Sequence, residues 1–84
     1  MIDIEKACEI ATKELKEPFI DTIIDVGSGF VIGTVAENGD IAEQFPLFVC
    51  KDSGKTEFFF VPGRIEELKK GKFVKIPSKY IFKK

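Results

Sequence analysis

The sequence predicts an α+β domain: an N-terminal helix laid across the concave face of an antiparallel meander of four strands, or five if the tail adds one. Three observations predict it. Residues 4–16 repeat their apolar side chains with the period of a helix; beyond Pro18 the period falls to two and β-branched residues accumulate; and Gly27-Ser28-Gly29 and Asp52-Ser53-Gly54-Lys55 separate apolar runs of strand length. At 84 residues, 44% of them hydrophobic and 32% charged, the chain can bury one core and forms a single domain, 1–84. Nine phenylalanines and no tryptophan make that core largely one of Phe, which needs no hydrogen-bond partner when buried.

In the helix, Ile4, Ala7, Cys8, Ala11 and Leu15 fall on one stripe, while Lys6, Glu9, Lys13 and Lys16 form the wet face. Asp3 is placed to cap the first turn, and Pro18 ends the helix because it lacks an N–H and pushes Glu17 out of helical geometry. Phe19–Val26 and Phe30–Ala36 read as the first hairpin. Asn38-Gly39 supplies another turn, and 40–45 reads as a connection.

Leu47–Lys51 and Thr56–Val61 form the second hairpin, with Gly54 suited to the left-handed position of a type I turn closed by a bulge. Both strands are apolar on both faces, so they are expected in the middle of the sheet or against a partner. Phe48, Phe58 and Phe60 are accordingly expected mid-layer, with Ala7, Cys8 and Ala11 pressed on that layer, and Phe48, Phe59 and Val61 are the candidate partner-binding residues. Past Pro62, residues 64–70 read as a short helix ended by Gly71, and Lys72–Ile76 as an edge strand whose lysines discourage sticky pairing.

Charge divides the chain near Pro62. Residues 1–62 hold twelve acids against five lysines, a net of −7; residues 63–84 hold Arg64 and seven lysines against two glutamates, a net of +6. An acidic body, 1–62, thus carries a basic appendage, 63–84. Within the appendage Lys69, Lys70, Lys72, Lys75 and Lys79 form a basic strip interleaved with Phe73, Tyr80 and Phe82, a mixture suited to phosphates and bases. Packing of those aromatics on the sheet, with the lysines in water or against the acidic body, is the favoured reading, because the chain as a whole is not basic.

Catalytic chemistry is scarce. There is no histidine, hence no ordinary general base near neutral pH and no His metal ligand. Asp21, Asp25 and Glu37 could meet across the first hairpin, but acids on strand faces are usually solvent contacts. Ser53-Gly54-Lys55-Thr56 imitates the end of a phosphate-binding loop, but Val49 stands where the loop needs its first glycine and a strand pattern follows. Gly27-Ser28-Gly29 and Gly33 miss the spacing of a dinucleotide fingerprint. Cys8 and Cys50 lack metal-ligand spacing and read as buried free thiols. The expectation is a non-enzyme with no catalytic, cofactor or metal site. The N-terminus has no basic-then-apolar leader pattern and no run approaches membrane-span length, which reads as a cytoplasmic protein without membrane contact.

The segment Phe45-Pro46-Leu47-Phe48-Val49-Cys50-Lys51-Asp52-Ser53-Gly54-Lys55 resembles the bacterial immunity protein 35 family, in which a strand, a Lys-x-Thr-Gly-like turn and a second strand follow a helix and a hairpin. Ser53 stands where that turn usually has Thr, and Cys50 where an aspartate is common. The resemblance spans residues 3–62 in element order and about ten residues in motif. It implies a cystatin-like fold and an immunity-like, non-enzymatic protein that blocks a toxin by binding it. The expected partner is therefore another protein, or a second copy in a homodimer; a nucleic-acid module using the basic tail is the alternative.

Overall fold

A computed structural model describes residues 1–36, 46–59, 63 and 65–81. The fold is the α+β arrangement expected, with a helix packed on a five-stranded antiparallel sheet. Helix α1 runs Ile4–Leu15. Asp3 caps it by accepting the Lys6 N–H at 2.8 Å, and Lys16 turns left-handed (φ 58°) to close it before Pro18. Strands β1 (Phe19–Asp25) and β2 (Gly29–Val35) form the first hairpin. Strands β3 (Leu47–Cys50) and β4 (Thr56–Phe58) form the second. Helix α2 (Ile65–Lys70) leads into β5 (Lys72–Phe73), and a 3-10 turn occupies Ser78–Tyr80. The expected turn at 38–39 and the connection at 40–45 lie outside the described residues.

The strand order is β4-β3-β2-β1-β5, so the first hairpin's second strand is central and the tail closes the far edge. Each strand alternates its side chains between two faces. On one face Ile20, Ile23, Phe30, Ile32, Leu47 and Val49 meet Ala7, Cys8, Ala11 and Leu15 of α1. On the other, Val31, Phe48 and Phe59 form a smaller cluster joined by Ile24, Val26, Cys50 and Leu68 of α2. Full burial of a side chain such as Ile32 or Leu47 contributes about 1.5–3 kcal/mol.

Ile20 and Ile23 stand three apart yet share the helix face. A β-bulge permits this: Ile20 and Thr22 pair with the adjacent residues Thr34 and Gly33, leaving Asp21 as the extra, exposed residue. Gly29 opens β2 where a Cβ would collide with the Val49 carbonyl and lie 2.7 Å from the Phe48 ring. The close approach of β2 to β3 at this end of their pairing therefore requires glycine.

Three expectations need correction. The second hairpin is not wholly in the middle of the sheet: β3 is interior, but β4 is an edge strand of three residues, whose pairing runs on in register to a single bond from the Phe59 N–H to the Pro46 carbonyl at 2.7 Å and stops there because Pro46 has no N–H to return it. Phe58 is consequently 59% exposed. Phe48 belongs to the face away from α1, whose partners on β3 are Leu47 and Val49. Phe60 lies outside the described residues. The basic appendage enters the sheet through Ile24↔Phe73 and Asp25↔Lys72, and Val74, Ile76 and Tyr80 pack against the helix-side core.

Candidate functional site

The residues with chemical interest gather around the two hairpin turns. In the first turn Gly27 has φ +93°, and its N–H donates to Asp25 Oδ1 at 2.8 Å. The same carboxylate receives Lys51 Nζ at 2.8 and 2.9 Å, and the ammonium also sits 5.0 Å from the Phe30 ring centroid. The Lys51 backbone completes a clamp, donating to the Ser28 carbonyl at 3.0 Å and accepting from the Ile2 N–H at 2.7 Å. One residue thereby ties the N-terminus, the first turn and β3 together. The hydrogen bonds from Lys51 and then from the Gly27 N–H hold the Asp25 carboxyl below the usual aspartate range, against partial burial that raises it.

The second turn has Gly54 in the left-handed position expected, but its closing bond spans four residues, one more than a type I turn with a bulge. Gly54 is left-handed (φ +73°), its N–H donates to the Cys50 carbonyl at 2.9 Å, and Cys50 N–H donates to the Lys55 carbonyl at 2.9 Å. Ser53-Gly54-Lys55-Thr56 is thus a hairpin turn leading into a strand. Beside it an open groove of about 310 Å³ is lined by Phe48, Cys50, Ser53, Lys55, Thr56 and Glu57. The Cys50 thiol faces hydrogen bonds from the Ser53 hydroxyl and from the Ser53 and Asp52 backbone, which lower its pKa. Cys8, sealed under α1, is pushed up to about 11 by burial and by Glu5. Cys8 is buried as expected; Cys50 is half-buried, a correction that follows from its position beside the turn and the edge strand.

The expected partner-binding residues are placed as follows. Phe48 is 9% exposed, Phe59 is fully buried, and Val61 lies outside the described residues. The hairpin's exposed aromatic is instead Phe58, set on the helix side opposite Leu47, while the groove opens on the Phe48 and Glu57 side. Along the basic strip, Lys69, Lys70, Lys72, Lys75 and Lys79 are all exposed. Lys69 pairs loosely with Glu66 at 4.0 Å, Lys72 stands opposite Asp25, and Lys79 lies 5.1 Å from the Tyr80 ring centroid. Phe73, between them, is 83% exposed. Of the three acids considered together, Asp21 is exposed, Asp25 is held by Lys51, and Glu37 lies outside the described residues. Sequence reasoning missed the Asp25–Lys51 pair, whose members are 26 positions apart, and the exposure of Phe58 and Phe73.

Among the described residues no cluster of three or more His, Cys, Asp or Glu could hold a metal ion, and no helix is long and apolar enough to cross a membrane. The chain matches no family model, no curated protein and no solved structure.

Two measurements check this geometry. At neutral pH iodoacetamide should label Cys50 in the folded protein and spare Cys8, both reacting in urea, and Ser53→Ala should slow Cys50 by removing a donor to its thiolate; peptide mapping reads the sites. A depressed Asp25 stabilises the fold above the ordinary aspartate value of 3.8 and loses that contribution as pH falls through its lower folded value. Both partners remain partly wet, so the effect is at most about 1 kcal/mol. Urea titrations of Asp25→Asn from pH 7 to pH 2.5 should accordingly show a shallower acid loss than the parent.

Proposed function

We propose that the protein is a small non-enzymatic binding protein that acts by protein–protein contact through the β3–β4 edge. The observation that carries this reading is Phe58, more than half exposed on a three-residue edge strand whose other side borders an open groove. An aromatic ring left in water at a sheet edge costs solubility and rewards a partner that covers it, and aromatic anchors dominate interface energetics. The scarcity of catalytic side chains supports the same reading, since the chain has no histidine and its best-defined charged pair, Asp25 with Lys51, ties the fold together.

The resemblance to immunity proteins gives the partner a class: a toxin domain, met by an acidic body that speeds encounter with a basic surface. On this reading the hairpin is the contact and the turn at Gly54 sets its shape. Co-expression with the product of an adjacent reading frame should yield a 1:1 complex on size exclusion. Phe58→Glu, a change at an exposed position, should weaken that complex at least tenfold while leaving the circular dichroism unchanged. A complex indifferent to Phe58, or no protein partner in such tests, contradicts the proposal.

A further inference from the structure

We propose that the β5 edge is a second, separate binding surface, one that takes single-stranded nucleic acid through Phe73 and the lysines around it. The expectation that the tail's aromatics pack on the sheet holds for Tyr80, which is partly buried against the helix-side core, and fails for Phe73, whose ring is 83% exposed. Phe73 is nevertheless fixed. Its backbone pairs with Ile24, the preceding Lys72 pairs with Asp25, and the Val74 N–H donates to the Ile23 carbonyl at 2.9 Å. Gly71, where a Cβ would collide with the Ile24 side chain, brings the end of α2 down onto β1 immediately before it.

The result is a flat apolar ring mounted on a sheet edge on the Ile24 face, with exposed Lys69, Lys70 and Lys75 near it in sequence, while Lys72 stands opposite Asp25 on the helix face and Lys79 lies near Glu9 of α1. A base can stack on such a ring whatever its identity, while lysines neutralise the neighbouring phosphates. The occupant is polyanionic by charge complementarity, since the described tail residues 65–81 hold five lysines against Glu66 and Glu67, a net of +3. Nucleic acid is favoured over a bilayer because Val74 and Ile76 turn inward, leaving Phe73 as the exposed apolar side chain between Lys69 and Lys79. It is favoured over an acidic protein because an exposed aromatic ring with lysines before and after it in the chain matches alternating bases and phosphates. Asp25 opposite Lys72, Glu66 beside Lys69 and Glu9 near Lys79 moderate the field of the strip without covering the ring.

The test is fluorescence anisotropy of the full chain with labelled twelve-nucleotide oligo-dT and oligo-rU at 50 mM salt. Binding should weaken with salt at a log–log slope near −3, about four phosphates at ~0.7 each. Phe73→Ala should lose about tenfold in affinity or more at unchanged slope. Lys70→Ala with Lys75→Ala should make the slope shallower by about 1.4, two phosphates at ~0.7 each. Both positions are exposed, and circular dichroism verifies folding. No binding at 50 mM salt overturns the proposal. So does binding that Phe73→Ala leaves intact, equal competition by polyglutamate, or Phe73-dependent partition onto phosphatidylserine vesicles without oligonucleotide binding. Phe58→Glu should leave oligonucleotide binding unchanged, which separates this surface from the protein-binding edge.

Discussion

The structure depends on one constraint: β2 is buried on both faces and must lie close against β3. Its residues Phe30 and Ile32 enter the core beneath α1, while Val31 enters the cluster beneath α2. Gly29 makes the approach possible, since any side chain there would meet the Val49 carbonyl and the Phe48 ring. Everything else is arranged around that strand. The bulge in β1 turns both Ile20 and Ile23 toward the helix, and the Lys51 clamp fixes the turn that joins β1 to β2. A domain of this size cannot afford two independent cores, and here one strand serves both.

Much of this was legible in the residues. The 3.6-residue stripe from Ile4 to Leu15 and the Asp3 cap located α1 to within a residue, because local periodicity and capping chemistry decide a helix of that kind. Gly27 and Gly54 marked both hairpin turns, since positive φ is required at each and few other residues accept it. The edge strand read at 72–76 is present at the sheet edge but pairs over Lys72–Phe73 only, with Val74 and Ile76 packed against the helix-side core. What was not legible depends on long-range geometry. The apolar run at 56–61 reads as a buried central strand, yet its pairing ends at the one bond that Pro46 can accept from Phe59, and Phe58 is left at the rim. No periodicity reveals that β4 has no outer neighbour among the described strands, nor that Lys51 reaches back to Asp25.

The same geometry separates the two proposed surfaces. β4 and β5 are opposite edges of one sheet, so an aromatic at each edge addresses different surroundings: Phe58 beside a groove at the second turn, Phe73 within a run of lysines. Charge follows the division, because the acidic body and basic tail meet at β1 and β5, where Asp25 stands opposite Lys72. Binding at edges suits a fold whose faces are covered internally by α1 and, on a smaller scale, by α2.

Amide hydrogen exchange followed by NMR tests the central claim most directly. If β2 is the doubly buried strand on which the fold rests, the amides of Phe30, Val31 and Ile32 exchange slowest, at the rate set by global unfolding, and those of β4 and β5 exchange sooner through local opening. Protection in β2 no greater than in the edge strands would contradict this account.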